Sequence, residues 1–318
     1  LLQAQGIPQG SILSSFLCNY YYGDIEGELI GCALENGSSS EAKSPSRDGS
    51  AEGHLYLLSR IIDDFQLITT DQAMHKAFLK AMYEGKPSLG VQINKEKIFS
   101  NAEVSLNDET GTHTIKDTTS ENGGMFPWCG MLFDPQSLEV QIDYSRFEGD
   151  KAGNNLTVAR LQKEGDYFKK AIKTFVQPRC LPILFDPTIN SQETRDASFF
   201  DLLLLCALKT KKYIQSGDLA DTNASFLISC MEDVIEYSLR VIKDRLQQES
   251  AASGAAKLNL PQRLALSLGW NAFHLAFREP KCLGNLASCI RDKLRRLPQC
   301  TRVTKAMQNS PQRQRMRK

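Results

Sequence analysis

From Ile12 the apolar side chains recur at Phe16, Tyr20 and Ile25, with Leu13, Leu17, Tyr21 and Leu29 alongside, close to helical spacing. The pattern predicts a helix opened by the loop Gly6-Ile7-Pro8-Gln9-Gly10-Ser11, with Ser11 as its N-cap. Two apolar runs at 55–62 and 65–69 enclose Asp63-Asp64 and predict a hairpin with two carboxylates at its tip. Residues 71–84 place Ala73, Ala77, Phe78, Ala81 and Met82 along one helical side, and 90–94 predicts a short strand. The polar stretch 101–124 reads as loop with a weak hairpin around Asn107 to Gly111. The runs at 128–133 and 138–142 flank the turn formers Asp134-Pro135-Gln136-Ser137 and predict a second hairpin.

After about residue 150 the period becomes helical throughout. Phe226, Cys230, Val234, Tyr237 and Val241 step by three or four, as do Leu266, Trp270, Phe273 and Phe277. Further helices are expected near 155–176, 197–214 and 283–296. The chain therefore divides into a mixed part with strands and an all-helical part. Residues 36–53 hold no large apolar side chain, cannot repay their ordering entropy, and predict a flexible insertion. The tail, with few apolar residues, predicts disorder.

Composition narrows the class. With 318 residues, 41% apolar and 24% charged, the chain has material for about two packed domains. It has no apolar run long enough to span a membrane. The start, Leu1-Leu2-Gln3-Ala4-Gln5-Gly6, has neither Met nor the pattern of a signal peptide, and reads as a cut from a longer chain. Nine cysteines, scattered singly with no CxxC pair, argue against a zinc module or disulfide framework and for a reducing compartment. A net charge of +1 hides an asymmetry: residues 281–318 carry eleven Lys or Arg against the single acid Asp292. Such an end fits a polyanionic partner or a solvated tail.

Four places could carry chemistry. Asp63-Asp64 is either an exposed acidic turn or a seat for a hard divalent cation, Mg²⁺ being the natural partner of one or two carboxylates plus phosphates. In the Gln9-Gly10-Ser11 loop, glycine permits close approach to a flat ligand and Gln9 offers donor and acceptor, although a simple capped loop has the same sequence. Lys97, beyond the 90–94 segment, is either solvated or a proton donor to a leaving phosphate. Trp128-Cys129-Gly130 is either core packing or a turn whose glycine lets a nucleic-acid backbone pass.

Singly these signals are weak, but their order is not. Gln5-Gly6-Ile7-Pro8-Gln9-Gly10-Ser11, then strand–Asp63-Asp64–strand, then Gly90 with Asn94 and Lys97, then Trp128-Cys129-Gly130 resembles the motif order B, C, D, E of a reverse-transcriptase palm. Ile61 two places before the acid pair, Tyr22-Gly23-Asp24, Leu67-Ile68-Thr69, Phe126-Pro127 and Leu138-Glu139-Val140 are similar to telomerase reverse transcriptase in particular.

The resemblance implies an α+β fold: a partial palm of antiparallel hairpins with helices on one face over 1–147, interrupted at 36–53. An all-α thumb over 148–300 and a basic, disordered tail at 301–318 would follow. It implies RNA-directed DNA polymerase chemistry with a two-metal Mg²⁺ site held by Asp63 and Asp64, and Lys97 aiding pyrophosphate departure. Gln9, Gly10 and Ser11 would lie at the template and incoming nucleotide, and Trp128, Cys129 and Gly130 at the primer 3′-end. Lys163, Lys169, Lys170 and Lys173 would meet the RNA–DNA hybrid. The partners implied are a template RNA, a telomeric single-stranded DNA primer and deoxynucleotides, in the nucleus at chromosome ends, with no membrane. The family's motif A Asp and fingers motifs have no counterpart in the 318 residues, so the chain alone is expected to be inactive. A retroelement reverse transcriptase, or a hybrid-binding module without catalysis, are the alternatives.

Overall fold

The computed structural model describes residues 13–31, 56–87, 90–91, 93–108, 111–120, 124–145, 156, 164–217, 219, 223–253, 258–278, 283–297, 300–310 and 313. Gln9, Gly10, Ser11, Lys163 and the insertion at 36–53 lie outside them. The chain divides into two units, Leu1–Cys129 and Gly130–Lys318. The secondary structure is α+β, with helices and small antiparallel sheets.

In the first unit, helix α1 (Ser14–Ile25) runs into a π-helical turn, Glu26–Gly31. Ile25 and Ile30 are buried, whereas Leu13, Phe16, Leu17, Tyr20 and Tyr21 form an exposed apolar stripe. Strands β1 (Tyr56–Ile61) and β2 (Asp64–Thr69) pair antiparallel, Tyr56 with Thr69 through to Ile61 with Asp64. Helix α2 (Gln72–Glu84) starts where the Asp71 carboxylate accepts the Ala73 and Met74 amides at 2.8 and 3.3 Å. It stops at Gly85, where φ is +64° and a Cβ would stand 2.8 Å from the Val91 carbonyl oxygen, leaving no room for a side chain.

The strand expected at 90–94 does not form. The described residues there make one isolated bridge, Lys86 to Val91, and Asn94 then accepts the Glu96 amide at 3.0 Å to cap a 3₁₀ turn, Lys95–Lys97. That local side-chain bond competes with strand pairing. The weak hairpin is real: β3 (Val104–Asp108) pairs with β4 (Gly111–Ile115). Met74, Phe78 and Leu79 of α2 pack with Ile30, Leu106 and Ile115, and Tyr56, Leu58, Phe65 and Leu67 close over them. β5 (Phe126–Trp128) ends the unit.

The second unit opens with the hairpin β6 (Met131–Phe133) and β7 (Val140–Ile142), followed by helices α3 (Glu164–Val176), α4 (Gln192–Ser216), α5 (Ala224–Ser253), α6 (Gln262–Ala276), α7 (Gly284–Arg295) and α8 (Thr301–Asn309). The run at 128–133 is thus not one strand, because the backbone turns at Cys129 and Gly130. The division between the two units falls there as well. The reason is that Val140 is buried in the helical core and its amide is held by the Asn190 side chain at 2.7 Å. α4 is the centre of that core, with Phe199, Phe200, Leu203, Leu204 and Leu205 fully buried.

The disorder expected over 301–318 is wrong for 301–309, which is α8. Val303 and Ala306 sit one helical turn apart and are buried, and Arg302 forms two 2.8 Å bonds to the Asp196 carboxylate.

Candidate active site

The acidic hairpin is tighter than its sequence suggests. Ile61 pairs with Asp64, so the turn consists of Ile62 and Asp63, and Asp64 is the first residue of β2. The flanking isoleucines are not buried: Ile61 is 43% and Ile62 67% exposed. Ile62 has φ +59°. A β-branched side chain resists that conformation, which costs about 1–3 kcal/mol and persists only where the surroundings over-determine it.

The surroundings are built around Arg60. On β1 its side chain shares the inward face with Leu58, opposite Phe65. Its guanidinium donates to the Ile62 carbonyl at 3.0 Å, to the Asn19 side chain at 3.2 Å and to the Glu26 carboxylate. It also stands 5.7 Å from the ring of Tyr22 and 5.9 Å from that of Phe65, which meet edge to face. One cation therefore ties the acidic turn, α1 and the π-helical turn together. Burial raises the Tyr22 hydroxyl pKa, and the Asp63 carboxylate adds to the rise.

Both aspartates are exposed. Among the described residues no Lys or Arg forms an ion pair with either, since Arg60 has spent its donors elsewhere. Cys129, with φ +50°, places its thiol 3.5 Å from the Asp64 Oδ2. Burial, then the charge of Asp64 and the hydrogen bond to it, push this thiol up to about 11, so near neutral pH it is protonated and donates to the carboxylate.

The other expected residues are distributed as follows. Trp128 is half-buried at the end of β5. Gly130 opens the second unit at φ +78°, its carbonyl accepting the Asp143 amide at 2.9 Å. Lys97 is exposed on the 3₁₀ turn beside Lys95, whose ammonium lies 3.9 Å from the Tyr83 ring. Among the described residues no hydrogen bond or ion pair joins Lys97 to the aspartates. On α3, Lys169 and Lys173 hold their ammonium groups 5.3 Å from the rings of Phe226 and Tyr237, while Lys170 is exposed.

The donor chemistry of the turn fits a hard divalent cation. Two adjacent, solvent-reaching carboxylates present oxygen ligands and a concentrated negative charge that no Lys or Arg among the described residues pairs. They supply part of a coordination shell: among the described residues no three His, Cys, Asp or Glu are grouped to hold a metal. Sequence reasoning assigned roles to both aspartates and Cys129 and none to Arg60. Its signal was present, as a lone cation on the inward-facing register of an otherwise apolar strand.

No protein-family profile matches the chain. It is similar to curated proteins named telomerase reverse transcriptase. One from Oryzias latipes is 30% identical over 244 residues, covering 76% of this chain and 20% of the relative. One from Rattus norvegicus is 27% identical over 310 residues, covering 94% and 25%. One from Arabidopsis thaliana is 29% identical over 280 residues, covering 86% and 24%. The chain spans a quarter or less of the length of these relatives.

Proposed function

Because the chain belongs to the telomerase reverse transcriptase family, we propose that it forms part of the palm and the thumb of an RNA-directed DNA polymerase. That enzyme extends telomeric 3′-ends on an RNA template, in the nucleus. The observation that carries the reading is the pair Asp63 and Asp64, exposed at and beside a strained two-residue turn, with no cation paired to either among the described residues and the Cys129 thiol alongside.

Asp63 and Asp64 would hold Mg²⁺. Two such ions, when bound, lower the pKa of an attacking hydroxyl and offset the charge of a leaving pyrophosphate. The chain's own residues supply the positioning. Arg60 fixes the turn that presents Asp63. The Cys129 thiol donates to one oxygen of the Asp64 carboxylate. Trp128, Cys129 and Gly130 would orient the primer end, and Lys97 would give a proton to the departing phosphate. Gln9, Gly10 and Ser11 would lie against template and nucleotide. Lysines on α3 add phosphate contacts without base preference.

The test is primer extension by the full-length protein with its template RNA. Asp63→Asn and Asp64→Asn should each lower extension at least about 10²-fold, a loss of roughly 2.7 kcal/mol in transition-state stabilisation, with primer binding retained. The 318-residue chain alone should show no templated synthesis. Wild-type extension by either variant would reduce the chain to a hybrid-binding module, and extension by the isolated chain would show that its active site is complete.

A further inference from the structure

We infer that Arg60 is a positioning residue for catalysis, acting by holding Ile62 in its left-handed conformation so that the following residue, Asp63, is aimed for use. The inference rests on the proposed role of Asp63. Four observations carry it.

Ile62 has φ +59°, a value that isoleucine does not hold by its own preference. Its 67% exposure means that side-chain packing does not hold it either. The two-residue hairpin turn closed by Ile61 and Asp64 demands that conformation, and among the described residues the side chain bonded to the Ile62 backbone is Arg60, whose guanidinium donates to its carbonyl at 3.0 Å. The guanidinium is itself fixed from several sides, by Glu26, by Asn19 at 3.2 Å, and by the rings of Tyr22 and Phe65.

Arg60 is not a substrate contact in this arrangement. Its side chain is 17% exposed, and its charge is spent on Glu26, which leaves little for a phosphate. A planar fork spreads its donors over the Ile62 carbonyl, the amide oxygen and the carboxylate while lying beside two rings, whereas an ammonium offers its donors from a single point. Glu26 lies in a π-helical turn, so the bracket joins two irregular backbones that would each relax if released.

The mechanism makes a specific demand. If Arg60 acts through the backbone of residue 62, then making the left-handed conformation easy at residue 62 should compensate for its loss. If Arg60 merely glues α1 to the hairpin, a change at residue 62 compensates for nothing.

The experiment uses the full-length protein assembled with its template RNA, with kcat and KM measured for primer and nucleotide. Arg60→Ala should lower kcat tenfold or more, with both KM values within about twofold of wild type. Arg60→Lys should fall between. Adding Ile62→Gly to Arg60→Ala should recover at least threefold of the lost kcat. Unchanged kcat in Arg60→Ala, a change confined to KM, or no recovery in the double variant would each overturn the inference. Should Arg60→Ala fail to assemble, Arg60→Lys with and without Ile62→Gly makes the same comparison. Asp63→Asn run in parallel separates the two levels. Full activity there removes the site reading and this inference with it, whereas an inactive Asp63→Asn beside a fully active Arg60→Ala removes the positioning role alone.

Discussion

Ser100 gives its only hydroxyl proton to the Ala102 carbonyl at 2.6 Å, so in its 3.3 Å contact with His75 the ring Nε2 is the donor. Burial holds His75 below its ordinary value of 6.5. His274 is held down too, first by burial and then by Arg291 and Arg278. Both rings fold in their neutral form. Below pH 6.5 the unfolded chain binds more protons than the folded one, so the stability these groups contribute is complete above 6.5 and is lost as pH falls through the folded values. The melting temperature should therefore drop on acidification from about pH 7.5 to 5, and the pair His75→Gln with His274→Gln should flatten that drop. An unchanged slope in calorimetry would assign the acid sensitivity to other groups. At this scale the sequence exposed Asp63, Asp64 and Cys129 as candidates. It could not show the positive φ of Ile62 or the 3.5 Å thiol contact, because both depend on pairing in three dimensions.

Gly269 shows how helices set one another's composition. It lies within α6, where an alanine would ordinarily gain about 1 kcal/mol of helix propensity. A Cβ at that place would come within 2.6 Å of the Ile235 side chain on α5, which is fully buried and β-branched. Gly269→Ala should therefore destabilise the protein by about 1–3 kcal/mol, the usual cost of overpacking, and the sign distinguishes packing from propensity in chemical denaturation. The converse case is α1. Its period of apolar residues was legible, and the helix is there. Yet Leu13, Phe16, Leu17, Tyr20 and Tyr21 are exposed, because periodicity declares a helix and its stripe but not which side meets the core. The failed strand at 90–94 makes the same point: its strand preference lost to the Asn94 cap.

Two units share one chain, and the basic end belongs to the second as structure. Arg302 of α8 reaches the nearly inaccessible Asp196 of α4 through two 2.8 Å bonds and also donates to the Asn259 carbonyl at 3.1 Å. Hydrogen bonding to Asp196, against some burial, raises the Arg302 pKa. Removing Arg302 leaves a carboxylate without its counterion in a place closed to water, which is costlier than losing a surface pair. Arg302→Ala should lower stability by about 2–4 kcal/mol, while Lys305→Ala, whose exposed pair with Glu193 is screened by solvent, should change it little. Equal effects in thermal melts would mean that α8 is held by the apolar packing of residues such as Val303, Ala306 and Met307.

The sequence by itself determined the elements whose cause is local. Among these are the helix α2, the hairpin around the acid pair, the helical second half, and an order of motifs similar to one polymerase family. Those features follow from side-chain period, capping chemistry and turn preference, which act over a few residues. Tertiary structure decided the rest. It set the boundary between units at Cys129, ordered 301–309 as a helix, and recruited Arg60 to hold a backbone shape that Ile62 would not choose. Each of these depends on groups tens of residues apart being brought within bonding distance, and no local pattern encodes such a meeting.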